Sequence, residues 1–235
     1  MRMLGPFDYT LWLAGFLLEA YVVVSSFLRS DFKRYLTLNV YMLCAAAVTC
    51  GQFIYIHKFG FYSPSYFYYY YYSDGLLYVL MYFVIIHFYQ QVFTEMKVSG
   101  YIRVAAVLLL AATAFFSYLV VHQTREHLTS RFVVELEQNL NFVGVILTYL
   151  LWASLLKLHE TRTRLIQLIL ALGVYFSATA GVYALHNLFP ALQNYGLRWI
   201  PPILGTWLPL AWAYTFTKVP ETSRLLTEAF VVKAR

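Results

Sequence analysis

Charged residues are scarce in this sequence, and their scarcity excludes most soluble folds. Only 12% of the 235 residues are Asp, Glu, Lys or Arg, whereas 61% are hydrophobic and the mean hydropathy is +0.61. Soluble domains are about one quarter charged and about half apolar. The composition therefore predicts an integral membrane protein with little mass outside the bilayer.

Cysteine is nearly absent, and so are sequence motifs of catalysis. Cys44 and Cys50 lie six residues apart in one apolar run, so a helix would turn them to different sides and no disulfide is expected. The chain contains no Gly-x-Ser-x-Gly, no His-Glu-x-x-His and no glycine-rich phosphate loop. The sequence therefore identifies no catalytic residue and favours a non-enzymatic role.

The hydrophobic residues form seven long runs separated by short polar breaks. A helix needs about 20 apolar residues to cross a hydrocarbon core of about 30 Å. The predicted spans are residues 7–28, 35–57, 66–93, 101–121, 132–157, 165–188 and 200–218. The sequence thus predicts an all-α bundle of seven transmembrane helices (residues 1–219), followed by an amphipathic cytoplasmic tail (residues 220–235).

Basic residues are divided unevenly between the two sides of this predicted bundle. Twelve of the 17 flank one side: Arg29, Lys33, Arg34, Lys97, Arg103, Lys157, Arg162, Arg164, Lys218, Arg224, Lys233 and Arg235. Because cytoplasmic loops retain positive charge, the N-terminus is predicted outside and the C-terminus inside. The +6 net charge follows sidedness rather than forming one stripe, so we expect the lipid bilayer of an inner or plasma membrane as partner, and no nucleic acid.

Three carboxylic acids fall inside predicted spans: Glu19, Asp74 and Glu137. A charge at the centre of a bilayer costs at least about 2.5–3.5 kcal/mol, so such groups face protein or water. Asn141, Gly144 and Thr148 follow Glu137 along one helical line, which predicts an inward face. The hypothesis is a ligand or ion pathway formed by Glu19, Tyr71, Asp74, Tyr78, Glu137, Asn141 and Thr148. The alternative is a set of interhelical clamps, each contributing about 0.6 kcal/mol.

Histidine gives a weaker signal for a metal or haem. Of the six histidines, His57, His122 and His186 are predicted at similar depth near the outer rim, so they are the weak candidates for ligands. The ordinary interpretation is interfacial histidine. Lys218, the single lysine of the last span, lies at its cytoplasmic end, so a buried retinal Schiff base is disfavoured and no other cofactor is indicated.

Other patterns point to architecture. The run Tyr66–Tyr72 predicts an interfacial aromatic belt, with an aromatic pocket or a subunit contact as the alternative. Gly173, Ser177 and Gly181 recur every four residues, which is typical of close helix packing. Pro209 lies inside the last span and is a hinge candidate.

Three functions remain open from the sequence. The first is a non-enzymatic module that acts through helix contacts, as a subunit of a membrane complex or in self-assembly. The second is a small-molecule or ion sensor or transporter with an outward-opening polar cavity. The third is a haem- or pigment-binding membrane protein.

Overall fold

The described part of the chain forms seven α-helices. The computed structural model describes residues 6–29, 31–94, 98–122, 128–160, 162–188 and 200–220, and the regular structure in those ranges is all helical. The helices are α1 (Pro6–Leu28), α2 (Leu36–Phe59), α3 (Pro64–Val92), α4 (Ser99–His122), α5 (Leu128–Lys157), α6 (Thr163–Leu188) and α7 (Ile200–Lys218). Helices α1 to α6 are long and apolar enough to cross a membrane, as expected of a multi-pass membrane protein. The predicted helical bundle is confirmed at this level, while the predicted tail lies outside the described residues.

The turn between α2 and α3 shows how the sequence sets helix ends. Gly60 ends α2 with φ of 83°, a left-handed conformation that glycine adopts without strain, and its N–H bonds to Ile56 O at 2.9 Å. Ser63 then caps α3 by accepting a hydrogen bond from Tyr66 N at 3.1 Å, and Pro64 occupies the first turn. The two helices are therefore antiparallel neighbours.

Helix α5 begins at Leu128, four residues earlier than its predicted span. The opening turns of this predicted span are polar, so the sequence leaves two alternatives: the span begins farther along the chain, or these side chains face protein or water. They are Glu135, Glu137, Gln138, Asn139 and Asn141. Those side chains reach other helices: Asn139 Nδ2 donates to Ser117 Oγ on α4 at 3.0 Å, and Thr179 on α6 donates to Asn141 Oδ1 at 2.7 Å. Polar side chains that bond to neighbouring helices do not interrupt the helix that carries them.

Six of the helices form a closed ring, and one lies outside it. The order of neighbours around the ring is α1, α2, α3, α5, α6 and α7, with α7 returning to α1. Helix α4 packs on the outside against α5 and α3. The main core lies inside the ring, where Trp212, Phe176, Phe88 and Phe216 are almost fully buried.

The end of the bundle where α1, α3, α5 and α7 finish, here called the basic end, is fastened by arginines. Arg164, 4% exposed, forms an ion pair with Asp31 and donates from Nη2 to Val219 O at 2.9 Å. Arg29 donates to Thr217 O at 2.6 Å. These bonds connect the start of α6 and the end of α1 to the end of α7.

A second set of bonds at the basic end connects α3 to its neighbours. Arg162 pairs with Glu160 at 2.7 Å and donates to Gln91 O at 3.0 Å. Gln91 Nε2 donates in turn to Arg34 O at 2.7 Å. The two sets together join the helix ends of this face into one network.

Candidate functional site

The most unusual polar group in the bundle is a pair of carboxylic acids on α3 and α5. The carboxyl groups of Asp74 and Glu137 lie within hydrogen-bonding reach of each other. Asp74 lies about 15 Å along α3 from Pro64, and Glu137 about 14 Å along α5 from Leu128, at a rise of about 1.5 Å per residue. Both helices begin at the same end, so the pair lies at one depth, well inside the helices.

Glycine allows α3 and α5 to approach closely beside this acid pair. A Cβ atom on Gly75 would stand 2.8 Å from Cγ1 of Val133, and a Cβ on Gly144 would stand 2.5 Å from the Phe176 ring. Side chains at these two positions would separate α5 from α3 and from α6. The small residues therefore position Glu137 against Asp74.

Tyrosine hydroxyls surround the acid pair. Tyr183 on α6 donates to Glu137 Oε1 at 3.2 Å, and its oxygen lies 3.4 Å from that of Tyr78 on α3. Tyr78 also interacts electrostatically with Glu137 and with Tyr175. The acid pair thus belongs to a hydroxyl network built by α3, α5 and α6.

One turn farther along α5, Asn141 extends the polar interior. Its side chain is 0% exposed, and Oδ1 accepts the bond from Thr179 described above. Its Nδ2 has no hydrogen-bond partner among the described residues. A buried amide donor that the chain leaves unused therefore lies next to the acid pair on the same helix face.

Among the described residues, the acid pair lacks the kind of basic partner that Arg164 gives Asp31. Neither Asp74 nor Glu137 forms an ion pair with a described Lys or Arg. An ionised carboxylate only accepts hydrogen bonds, so two carboxyl groups in contact require a proton or a cation between them. The arrangement can bind and release one proton with the phenolic hydroxyls as hydrogen-bonding neighbours.

Glu19 lies apart from this cluster in the described structure. Glu19 accepts a hydrogen bond from Thr49 at 3.4 Å and lines a separate cavity of about 300 Å³ between α1, α2 and α7. Neither Asp74 nor Glu137 lines that cavity. The cause is the ring order, since α1 and α5 lie on different parts of the ring.

The other predicted pathway residues differ in whether they interact with the acid pair. Tyr78 contacts the acid pair, whereas Tyr71 packs against Phe67 with ring centroids 4.3 Å apart. Tyr70, the preceding residue, interacts electrostatically with Asp74 and Glu137 instead. Thr148 is buried, as the stripe on α5 predicts, but it donates to Gly144 O of its own helix at 2.8 Å.

The sequence analysis missed the contribution of α6. Tyr175, Thr179 and Tyr183 recur every four residues, so they share one face of α6 that meets α5. This repeat was a detectable signal. It was not sufficient, because a periodic face does not say which helix lies opposite.

The predicted metal ligands are not brought together in the described part of the chain. His57 stacks on Phe53, and His122 lies against Tyr118 with ring centroids 5.6 Å apart. The side chain of His186 lies outside the described residues. Among the described residues no three His, Cys, Asp or Glu side chains form a group that could hold a metal ion.

The predicted packing stripe and hinge have different surroundings. Gly173 packs near Thr148, with a would-be Cβ 3.7 Å from Thr148 Cβ, but no described atom lies within 4 Å of a Cβ on Gly181. Gly173 and Ser177 line an open groove of about 440 Å³ between α5 and α6. Gly173 therefore lies in a close helix contact, while the described atoms leave space beside Gly181. Pro209 is buried inside α7, which continues through it as one helix.

No family model matches this chain, and comparisons with curated proteins and with solved structures also find no match.

Proposed function

We propose that this chain is a proton-coupled small-molecule transporter of the cell membrane. The observation that carries the proposal is the contact between the Asp74 and Glu137 carboxyl groups inside an apolar bundle. Ionisable groups inside a membrane are costly to maintain, and they commonly mark proton relays and substrate paths. A pair that gains or loses one proton changes the charge of the bundle interior, which is the step that proton coupling requires.

The position of the pair supports this role. Glu137 and Tyr183 connect α5 to α6, and Asp74 and Tyr78 bring in α3, so three helices contribute to one protonation site. Loss of the proton would leave two like charges in contact, which repel. The chain would then respond to deprotonation by separating α3 from α5. Such a response couples proton binding to helix movement.

The proposal includes a membrane arrangement. We place all seven helices across an inner or plasma membrane, with the N-terminus outside and the basic end in the cytoplasm. The charge asymmetry of the sequence supports this orientation. Helix α7 is not among the helices that are by themselves long and apolar enough to cross a membrane, but it packs between α1 and α6 in the ring.

Infrared spectroscopy tests the protonation site directly. The wild-type protein in lipid should show a carboxylic acid C=O band that titrates with pH and shifts in D₂O. Asp74→Asn and Glu137→Gln should each remove or displace this band, because each changes one member of the pair. Glu135→Gln is the matched control, since Glu135 lies two residues away on the same helix and its carboxylate takes no part in the hydroxyl network.

Three outcomes would contradict the proposal. The first is the absence of a protonated carboxyl band across the accessible pH range. The second is a band that persists unchanged in both variants. The third is loss of the band on adding sodium at constant pH, because this would make the pair a cation site.

A second candidate function is self-association through the α5–α6 groove. The α6 side of the groove includes the small residues Gly173, Ser177 and Ala178, and Gly181 continues the line with no described atom within 4 Å of its would-be Cβ. Small residues on a membrane helix let a second helix approach closely. Native mass in mild detergent should then show a dimer that Gly181→Leu converts to monomer. A wild-type monomer at all protein concentrations would exclude this function.

A further inference from the structure

We propose that the cavity at Glu19 binds a small organic cation such as a primary or quaternary amine. This inference rests on the proposed transport function, because it names the class of substrate that the transporter would carry. The cavity measures about 300 Å³, at the lower end of the range of about 300–1,000 Å³ for small-molecule sites. It is therefore sized for a compact ligand.

The carboxylate is the first part of the argument. Glu19 forms no ion pair with a described Lys or Arg, and its hydrogen bond from Thr49 is long, at 3.4 Å. It lies about 20 Å along α1 from Pro6, deep in the bundle. A carboxylate at this depth is stabilised by a positive charge beside it, and a bound cation supplies that charge.

The aromatic lining is the second part. Trp12 and Phe16 contribute from α1, and Phe61 and Tyr66 from the start of α3 and the turn before it. Aromatic faces attract cations, and a ring of them is the usual lining of sites for quaternary ammonium groups. The rings also provide apolar contact for the carbon groups of an alkylated amine.

The remaining lining explains the choice of an amine over other ligands. The other hydrogen-bonding side chains of the cavity are Thr49, Gln52, Thr206, Trp12 and Tyr66, and none carries a positive charge. An anion would therefore meet Glu19 without a counterion. A sugar is uncharged, so it would also leave the carboxylate without a counterion.

One residue relates this cavity to the acid pair. Tyr41 on α2 is buried and interacts electrostatically with Glu19, Asp74 and Tyr175. Its ring packs edge-on against Trp212 of α7, with centroids 6.1 Å apart. A cation bound at Glu19 would thus change the field at a tyrosine that the acid pair also influences.

Calorimetry with choline tests the cavity. Choline should bind to the purified wild-type protein, whereas 3,3-dimethylbutan-1-ol, its neutral analogue of the same shape, should bind at least roughly tenfold more weakly. Glu19→Gln should weaken choline binding by a similar factor. Gly205→Leu should also weaken it, because Gly205 lines the cavity and no described atom lies within 4 Å of its would-be Cβ. The leucine would occupy the cavity without displacing the fold.

Glu135→Gln should leave choline binding unchanged. The inference is overturned if choline does not bind, if the neutral alcohol binds equally well, or if Glu19→Gln and Gly205→Leu both bind choline as the wild type does. Because the acid pair is read by infrared spectroscopy and the cavity by calorimetry, each proposal can fail while the other stands.

Discussion

At the basic end the Asp31 carboxylate lies against the Arg164 guanidinium, whereas deep in the bundle Asp74 lies against a second acid, Glu137. The first pair has a permanent counterion, and the arginine also bonds to the end of α7. The second pair has phenols around it and no described Lys or Arg in an ion pair with it.

This difference in counterions suits the two pairs to different roles. An acid beside arginine holds a fixed charge, so it is suited to fastening helices. Two acids in contact share a proton, so their total charge changes with conditions. The comparison predicts that substitutions at the basic end act mainly on stability, and that substitutions in the acid pair act mainly on protonation.

The largest effect is expected from Arg164→Met. This substitution leaves Asp31 without its partner and Val219 O without its donor, and breaking a buried ion pair costs about 3–5 kcal/mol. The free energy of unfolding, measured in detergent by denaturant titration, should fall by that amount. Arg103→Met is the control, because Arg103 is exposed on α4 and its loss should change stability by about 0.5 kcal/mol or less. Equal stability of the two variants would break the comparison.

Gly144→Ala should have the next largest effect. The new methyl group would stand 2.5 Å from the Phe176 ring, and overpacking of this kind costs about 1–3 kcal/mol. Because α5 would move away from α6, the infrared band of the acid pair should shift as well. Gly181→Ala is the matched control, because no described atom lies within 4 Å of a Cβ at this position. Alanine should therefore stabilise α6 by about 0.5–1 kcal/mol. Destabilisation by both alanines would argue against this packing.

Tyr183→Phe should have a smaller effect on stability. It removes the hydroxyl that donates to Glu137 and leaves the ring in place, so about 0.5–1.5 kcal/mol should be lost. The same denaturant titration measures this loss, and the carboxyl band should move because one hydrogen bond to the pair is gone. Tyr118→Phe on the exposed side of α4 is the control. An unmoved band in Tyr183→Phe would exclude Tyr183 from the network.

The smallest effect on stability is expected from Glu137→Gln. This variant gives the clearest test of the difference between the acid pair and the basic end. Glutamine keeps the shape of the side chain and can still accept from Tyr183, so the free energy of unfolding should change by less than about 1 kcal/mol. Protonation should nevertheless be lost from the pair, as described for the infrared test. A loss of stability as large as that of Arg164→Met would show that the acid pair is a structural clamp.

The seven helices could be predicted from the sequence because each depends on local composition. The apolar runs and the polar breaks lie close together along the chain, and residues such as Gly60 and Pro64 set the helix ends by local geometry. The inward face of α5 could also be predicted, since Glu137 and Asn141 share one helical line and both are buried.

The arrangement of the helices could not be predicted in this way. Nothing local places α4 outside the ring or sets α6 beside α5, so Tyr183 could not be assigned to Glu137, nor Glu19 to a cavity of its own. Arg164 shows the same limit. Its position near a helix end predicts a solvated loop residue, whereas its partners come from the turn between α1 and α2 and from the end of α7, 133 and 55 residues away.

The contact between α1 and α7 has a consequence for biosynthesis. Helices enter a membrane in the order of synthesis, so α1 gains α2 as a neighbour early and its other principal neighbour, α7, only after the six preceding helices are in place. The acid pair is complete once α5 is present and its hydroxyl network once α6 is present, whereas Arg29 bonds to Thr217 only with the last of the helices. A nascent chain interrupted before α7 would leave the α7-facing side of α1 uncovered and Arg29 without its acceptor on Thr217.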